Sequence, residues 1–152
     1  MAKLHFDIQK LEEHDMDAFI TLTYKLWQNT PSEDHENMIK AAIGSDSHLI
    51  LIAKDAQGNL QGFSMVSIRT DYVEGAKTSP TGYLEGIYVN PDYRGSGISR
   101  HFLEASEVWL KKNNCSQLGS DTWLSDHSSR SFHKHMGFWE EDELVHFLKD
   151  LN

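Results

Sequence analysis

The stretch YLEGIYVNPDYRGSGIS, from Tyr83 to Ser99, decides the fold of this chain. It begins with mostly apolar and aromatic residues, which predict a strand over 83–89. Asn90-Pro91 ends this strand, because proline cannot donate a hydrogen bond to a neighbouring strand. The glycine-rich segment Arg94-Gly95-Ser96-Gly97 follows, and apolar residues at helical spacing then predict a helix over 97–112. The stretch is therefore a strand, a glycine-rich turn and a helix in succession.

This turn is a candidate site for a phosphate-containing ligand. The start of a helix offers unpaired backbone N–H groups and the positive end of the helix dipole. Gly95 and Gly97 permit positive φ angles and let a ligand approach the backbone closely, while Arg94 adds a charged donor. A pyrophosphate suits such a site. An ordinary glycine-rich turn is the alternative. A dinucleotide-binding turn fits poorly, because Arg100 stands where a third glycine is required.

The flanking sequence alternates between strand-like and helix-like segments, which is typical of a mixed α/β domain. Alternating or wholly apolar segments predict further strands over 4–8, 49–53, 61–69, 115–120 and 144–148. Apolar residues at helical spacing predict further helices over 15–28, 32–44 and 128–136. Ser32 is the expected N-cap of the second of these, and Gly137 is expected to close the last. A long polar loop over 71–81 separates two strands. We expect residues 1–152 to form a single domain.

Composition excludes several classes of protein. The chain has 152 residues, a formal net charge of −9 and one cysteine, Cys115. The acidic balance argues against nucleic acid as a partner, and it suits either solubility or a pocket for a cationic ligand. No apolar run approaches the roughly 20 residues that span a bilayer, so we expect no membrane partner. A single cysteine cannot form an intrachain disulfide, which favours a cytoplasmic location.

The segment Arg94-Gly95-Ser96-Gly97-Ile98-Ser99 resembles the acetyl-CoA pyrophosphate motif of the GNAT superfamily of N-acetyltransferases. Ser99 departs from the glycine or alanine that is usual at the last position, and its small side chain preserves the close approach. The resemblance implies that Ile87, Tyr88 and Val89 pair with the pantetheine arm of acetyl-CoA. It also implies the GNAT fold, of class α/β (α+β): a mixed, mostly antiparallel sheet with helices on both faces, in the order β-α-α-β-β-β-α-β-α-β.

Within that superfamily the sequence is most similar to the aminoglycoside 6′-N-acetyltransferases. The stretches that carry this similarity are Leu26-Trp27, Arg69-Thr70-Asp71-Tyr72-Val73-Glu74-Gly75, Tyr83–Val89, Ser120-Asp121-Thr122 and the run HKHMGF from His133 to Phe138. The resemblance implies that acetyl-CoA is the co-substrate. It implies direct transfer of the acetyl group to the 6′-amine of an aminoglycoside, giving antibiotic resistance. It further implies a cationic small-molecule substrate and a homodimer.

Two acidic residues are candidates for the acceptor site. An amine must lose its proton before it attacks a thioester, and a positioned carboxylate can take that proton. Glu85 lies in an otherwise apolar or aromatic strand, where an unpaired buried carboxylate is costly. The resemblance implies that Glu85 and Asp121 bind the ammonium groups of the substrate, with Asp121 the better candidate for the base. Exposure or pairing with a base is the alternative for Glu85. Capping of the segment that starts at Thr122 is the alternative for Asp121.

The resemblance also implies further residues that contact the substrate. Trp27, Tyr72 and Asp142 match positions that line the aminoglycoside site in related enzymes. An aromatic residue at the end of an amphipathic helix often belongs to the core, which is the alternative for Trp27. Asp142 lies in an acidic run, Glu140-Glu141-Asp142-Glu143, and a solvated turn is its alternative.

Several residues are candidates for handling the thioester. His133 stands where many relatives have a tyrosine that protonates the departing thiolate, and a reference pKa of about 6.5 suits that role. A surface position is the alternative for His133. Asp126 and Ser129 are candidate neighbours of the CoA chain. A backbone N–H near Tyr88 or Val89, exposed by a bulge, is expected to stabilise the negative charge that develops on the carbonyl oxygen.

The sequence favours neither a metal site nor a covalent nucleophile. His133 and His135 lie two residues apart and face different sides of a helix, so no metal is predicted. Cys115 lacks a patterned histidine partner and is expected in the core. Other amines, such as a polyamine or a protein amine, are an alternative acceptor. A non-catalytic acyl-CoA-binding module is an alternative of a different class, which Ser99, Asp126 and the missing tyrosine would suit.

Overall fold

Five strands form one sheet within residues 4–152, the part of the chain that this computed structural model describes. The strands are β1 (Asp7–Lys10), β2 (His48–Lys54), β3 (Leu60–Arg69), β4 (Thr81–Val89) and β5 (Leu118–Gly119). The α-helices are α1 (Met16–Thr23), α2 (Ser32–Ile43), α3 (Ile98–Lys112) and α4 (His127–His135). Short 3₁₀ turns occur at Glu13–Asp15 and Pro91–Tyr93.

The strands lie side by side in their order along the chain. β1 to β4 are paired antiparallel, and β5 is parallel to β4 because α3 crosses over between them. A parallel neighbour requires a crossover connection of this kind. The predicted class, a mixed and mostly antiparallel sheet with helices on both faces, is confirmed.

Each face of the sheet carries an apolar core. One face packs against α1 and α2, with buried side chains that include Phe19, Ile39, Ile50, Ile52, Phe63 and Met65. The other face packs against α3, with buried side chains that include Leu49, Leu51, Val66, Leu84, Phe102 and Leu110. Successive side chains of a strand point to opposite faces. The wholly apolar run of β2 therefore serves both cores, as expected for a central strand.

Most element boundaries differ only slightly from those that the sequence predicts. β1 begins at Asp7 instead of Leu4, and β5 is confined to Leu118–Gly119. α1 ends at Thr23, and turns continue the chain toward Gln28. Pro31, and not Ser32, is the N-cap of α2. Gly137 has φ +94°, which confirms that a left-handed glycine follows α4.

The strand predicted over 144–148 does not form in the described structure. The sheet ends at β5, and no strand follows α4 in residues 4–152. A strand needs a neighbouring strand to pair with its backbone, and this segment has none among residues 4–152. Its apolar side chains are consequently exposed, Phe147 by 91% and Leu148 by 99%. Within the same described residues, every helix falls short of the length and apolar character that crossing a bilayer requires.

Candidate active site

The glycine-rich turn between β4 and α3 forms an open cradle of backbone groups. Gly95 has φ +78° and Gly97, the N-cap of α3, has φ +96°. No side chain caps the first turn of α3, so its N–H groups remain available. A Cβ atom built on Gly95 would meet nothing within 4 Å, so this face of the turn is open to a ligand. The glycine-rich turn therefore fits a diphosphate, the kind of ligand that the sequence predicts for it.

Arg94 ties this cradle to the end of β4. Its Nε donates a hydrogen bond of 3.0 Å to the carbonyl oxygen of Val89. Ser96 likewise donates its hydroxyl to the carbonyl oxygen of Tyr93, within the same turn. These contacts hold the turn in place without using its open glycine backbone.

β4 has a free edge beside the cradle. β5 pairs with β4 only at Gly82 and Tyr83, whereas β4 continues to Val89. Asn90 donates its N–H to Gln61, and hydrogen-bonded pairs alternate along an antiparallel ladder. Ile87 and Val89 therefore turn their backbone groups away from β3, toward the free edge. This is the part of β4 for which the sequence predicts pairing with pantetheine.

The bulge in β4 lies at Glu85 and not at Tyr88 or Val89. Met65 pairs with Gly86 and Val66 pairs with Leu84, which leaves Glu85 as the extra residue. Tyr88 and Val89 are in regular register with β3. The predicted bulge position is wrong because bulges depend on the fit between two strands, which one strand's sequence does not contain.

Glu85 is held by three side-chain donors. Its Oε1 accepts from Ser67 Oγ at 2.6 Å and from Arg69 Nε at 3.1 Å and Nη2 at 2.8 Å, and its Oε2 accepts from Arg69 Nη2 at 2.9 Å. Pairing with a base was the alternative for this residue, and it is the arrangement found. A two-point guanidinium–carboxylate contact has strong geometric preference. Glu85 therefore offers an incoming cation an acceptor oxygen and little net charge.

Asp121 keeps more of its charge for a ligand. It is exposed, it follows β5, and its Oδ2 accepts the hydroxyl hydrogen of Tyr83. Its Oδ1 has no hydrogen-bond partner within residues 4–152. Asp121 does not cap a helix, because the next helix is α4 and its N-cap is Asp126. Burial raises the pKa of the Tyr83 phenol well above its usual range, and the bond to Asp121 raises it further, so Tyr83 stays a donor.

Arg69 joins the two acids, and sequence analysis did not assign it a role. Its guanidinium carbon lies 3.4 Å from the centre of the Tyr83 ring, a cation–π contact, while its nitrogens hold Glu85. Arg69 occurs in a stretch that carried the family resemblance, and Tyr83 and Glu85 are two residues apart on one strand. That spacing could have indicated a shared face. That Arg69 of β3 contacts both Tyr83 and Glu85 is seen only in the structure.

His48 is a second missed residue on this face of the sheet. It pairs in register with Ser67, the donor to Glu85. Burial lowers the pKa of the His48 imidazole, Glu85 raises it and Arg69 lowers it. His48 Nδ1 is buried and has no hydrogen-bond partner in the described structure.

Trp27 lies against β4 next to Glu85. Its ring centre is 5.7 Å from that of Phe63 and 5.9 Å from that of His35, and its edge lies against Gly86 of β4. The indole is half-buried and packs against the core, which is the alternative that the sequence leaves open for Trp27. Tyr72 is 78% exposed, in the loop before β4.

Four other predicted residues lie outside the cluster of Glu85 and Asp121. His133 Nδ1 lies 2.7 Å from the carbonyl oxygen of Ser129, and its Nε2 lies 2.7 Å from Ser120 Oγ. Asp126 accepts from the Ser129 N–H and so caps α4, which explains its place in the sequence without a ligand. Asp142 is exposed in the C-terminal segment, where it accepts from the next backbone N–H.

Beside this arrangement of a cradle, a free strand edge and a carboxylate, the sequence itself matches a known family. The sequence profile described as "Acetyltransferase (GNAT) family" matches residues 8–138. The chain belongs to this acetyltransferase family. The resemblance that the sequence motifs carry is thereby confirmed.

Several proteins that are similar to this acetyltransferase are named for one activity. The aminoglycoside N(6′)-acetyltransferase type 1 of Serratia marcescens is 33% identical over 140 residues, which are 91% of this chain and 96% of that protein. The crystal structure of the aminoglycoside 6′-N-acetyltransferase AAC(6′)-Ih from Acinetobacter baumannii is 30% identical, with a TM-score of 0.88, over 97% of this chain and 100% of that one.

A second solved structure bears on the ligand. AAC(6′)-Iy in complex with a bisubstrate analogue, CoA-S-monomethyl-acetylneamine, is 30% identical, with a TM-score of 0.87, over 97% of this chain and 99% of that one. Acetyl-CoA is the co-substrate of this acetyltransferase, as the sequence predicts. The open backbone at Gly95, the uncapped start of α3 and the free edge of β4 are the groups that fit it.

Proposed function

We propose that this chain transfers the acetyl group of acetyl-CoA to the 6′-amine of an aminoglycoside by direct attack, and so confers resistance to the antibiotic. One observation carries this proposal: the free edge of β4 lies between a backbone cradle for a diphosphate and the incompletely paired carboxylate of Asp121. The 30–35% identity to proteins named for this activity supports the choice of acceptor.

The residues of the chain divide the chemistry as follows. Acetyl-CoA supplies an activated acetyl thioester. The α3 start holds the diphosphate, and the backbone of Ile87 and Val89 aligns the arm along β4. Asp121 takes the proton from the attacking amine, directly or through water, as the nitrogen–carbon bond forms and the carbon–sulfur bond breaks. A backbone N–H at the free edge of β4 donates to the carbonyl oxygen, and His133 supplies a proton to the departing sulfur.

The acceptor site suits a cation. Asp121 is exposed with one open oxygen, and the chain carries four further acids in succession, Glu140 to Glu143, of which Glu140 is paired with Arg130 and Lys134. Carboxylates gathered at a cleft attract cationic substrates and favour their association. Trp27 and Tyr72 offer aromatic faces, and Asp142 a further carboxylate, to the rings and ammonium groups of an aminoglycoside.

The decisive experiment measures thiol release from acetyl-CoA with kanamycin, tobramycin and spermidine at matched concentrations. We expect turnover with the aminoglycosides well above that with the polyamine. Acetyl-CoA binding without turnover on any of them would establish a non-catalytic module instead. Preferred turnover of spermidine would move the acceptor to polyamines.

We also propose a homodimer that is formed through the C-terminal segment. This segment exposes five large apolar side chains: Leu144, Val145, Phe147, Leu148 and Leu151. Exposed apolar surface that is continuous over several residues marks an interaction site. The contacts of Glu140 with Arg130 and Lys134 hold the start of the segment to its own chain, and the apolar residues follow immediately.

A second copy of the protein can supply the neighbouring strand that the segment 144–148 lacks. β5 is the edge of the sheet in the described residues, with β4 on one side alone. Strand edges pair readily with an extended segment of another chain. Sedimentation equilibrium of the protein at micromolar concentration tests the idea. We expect a dimer that Phe147→Asp converts to a monomer and that the neighbouring Asp150→Asn leaves intact. A monomeric wild-type protein would refute the proposal.

We propose that residues 1–152 act as one N-acetyltransferase domain. We propose that it works in the cytoplasm on a small cationic substrate and not on nucleic acid. Burial of the Cys115 thiol, which raises its pKa, is consistent with a cysteine that stays reduced and unreactive.

A further inference from the structure

Arg69 makes two contacts that together join Glu85 to Asp121. Its guanidinium grips Glu85 through Nε and Nη2, at 2.8 to 3.1 Å. The same planar group lies 3.4 Å from the centre of the Tyr83 ring, and Tyr83 donates its hydroxyl to Asp121 Oδ2. The chain of contacts is therefore Glu85, Arg69, Tyr83 and Asp121.

Within this series of contacts, the Tyr83 ring has little freedom to move. A Cβ atom built on Gly119 would lie 3.2 Å from Tyr83 Cδ2, so the ring packs closely against β5 as well as against Arg69. The ring is half-buried, and its phenol is the hydrogen-bond donor to Asp121 in the described structure. The orientation of the ring therefore sets the orientation of the Asp121 carboxylate, whose own backbone follows a strand of only two residues.

Arginine supplies something here that lysine does not. A guanidinium is planar, so it can stack on a ring while its edge binds a carboxylate at two points. A lysine ammonium keeps the positive charge but can neither stack nor bind in that forked manner. Ser67 adds a third donor to Glu85 at 2.6 Å, which fixes the far end of the chain to β3.

We propose that Arg69 is a positioning residue for the acetyl-transfer reaction: anchored by Glu85, it holds the Tyr83 ring and thereby directs the open oxygen of Asp121 toward the acceptor amine. This inference rests on the proposed function for its kinetic consequence. The geometric part, that Arg69 sets the position of Tyr83 on Asp121, does not depend on which amine is acetylated.

The kinetic test compares Arg69→Lys, Tyr83→Phe and the double variant with the wild type. We expect each single variant to lower kcat with an aminoglycoside roughly tenfold, a typical loss for a misplaced catalytic group, with little change in the KM for acetyl-CoA. The double variant should lose no more than either single variant, because both break the same chain. Full activity of Arg69→Lys, or losses that multiply, would overturn the proposal.

Chemical rescue separates position from charge. Arg69→Ala should recover kcat when guanidinium ion is added and should not recover it with the same concentration of ammonium ion. Equal rescue by both ions would mean that Arg69 contributes only a positive charge, and the positioning role would be wrong.

A spectroscopic measurement keeps the geometric part testable by itself. Protein labelled with ¹³Cζ-tyrosine should give a Tyr83 resonance that Tyr83→Phe identifies by its loss. We expect Arg69→Lys to move this resonance in the same direction as Asp121→Asn, because both weaken the phenol–carboxylate bond. An unmoved resonance in Arg69→Lys would reject the inference even in an enzyme that is active. An inactive wild type with a resonance that moves would instead reject the proposed function and leave the positioning contact established.

Discussion

Gly86 of β4 lies so close to the indole of Trp27 that a Cβ atom at position 86 would stand 2.5 Å from Trp27 Cζ2. Trp27 also packs on Phe63 and His35, so the ring cannot simply retreat. Gly86 follows Glu85, the extra residue of the bulge. The absence of a side chain at 86 is thus what lets the Trp27 ring lie against β4 beside Glu85.

Gly86→Ala should therefore displace Trp27. Overpacking of this kind costs about 1–3 kcal/mol in the free energy of unfolding, and the moved indole should also raise the KM for an aminoglycoside. Urea unfolding and steady-state kinetics measure the two effects. Gly44→Ala is the matched control, because its Cβ would lie 3.7 Å from the nearest atom and its φ is −81°. Equal behaviour of the two variants would contradict the argument.

The cradle and its strand could be predicted from the sequence because they depend on neighbours along the chain. Strand residues, a proline, glycines and an amphipathic helix follow one another between Tyr83 and Lys112, and each has a local physical meaning. The structure has β4 ending at Val89 and α3 beginning at Ile98, close to the predicted positions. Gly137 was predictable for the same reason.

Gly95→Ala should weaken acetyl-CoA binding. Gly95 has φ +78°, where a side chain costs about 1 kcal/mol or more, and the strained cradle should turn its N–H groups away from the diphosphate. The KM for acetyl-CoA should rise several-fold while kcat changes less. Gly58→Ala is a matched control, because Gly58 has φ +84° and an equally open Cβ position in the β2–β3 turn. If both variants raised the KM for acetyl-CoA equally, the rise would not result from distortion of the cradle.

Asp121→Asn should lower kcat far more than it weakens acetyl-CoA binding. An amide cannot accept the proton of the amine, and loss of a general base typically costs about 100-fold or more. Steady-state kinetics give kcat, and calorimetry gives the dissociation constant for acetyl-CoA. Asp46→Asn, the same change in an exposed turn, is the control. A parallel loss in both quantities would remove Asp121 from the chemistry.

The parts of the site that sequence did not predict depend on contacts between separate segments. Glu85 is neutralised by Arg69 across two strands, and a single strand's pattern does not contain that pairing. The bulge at Glu85 reflects the register of β4 on β3, which is why the sequence predicts it near Tyr88 or Val89 instead. Segment 144–148 has the composition of a strand, but in the described part of the chain no neighbouring strand pairs with it.

Lowering the pH should destabilise the wild-type protein more than it destabilises the His48→Gln variant. Burial lowers the pKa of His48 in the folded protein. The unfolded chain, with a histidine pKa of about 6.5, therefore binds a proton that the folded chain takes up only at lower pH. The free energy of unfolding consequently falls as the pH drops from about 6.5 toward the folded value. Urea unfolding at neutral and mildly acidic pH measures this difference.

The control for His48 is His135→Gln, an exposed histidine of α4, which should follow the wild-type pH dependence. If His48→Gln lost as much stability in acid as the wild type, the destabilisation would come from other groups. The carboxylates that are common to both proteins cancel in the comparison. The prediction therefore concerns the difference between variants and not the absolute curve.

His133 can act as a proton donor or only as a structural contact, and two variants distinguish these roles. A carbonyl oxygen only accepts, so the 2.7 Å contact with Ser129 O places the proton of neutral His133 on Nδ1. Nε2 then accepts from the Ser120 hydroxyl at 2.7 Å. To protonate the departing sulfur, His133 must first gain a second proton, on Nε2, and turn that N–H from Ser120 to the sulfur. If it supplies that proton, His133→Ala should lower kcat roughly tenfold or more, whereas Ser120→Ala, which frees Nε2, should lose much less. Steady-state kinetics at neutral pH compare them. An equal loss in both variants would show that the contact between α4 and the end of β5, and not proton transfer, is what the reaction needs.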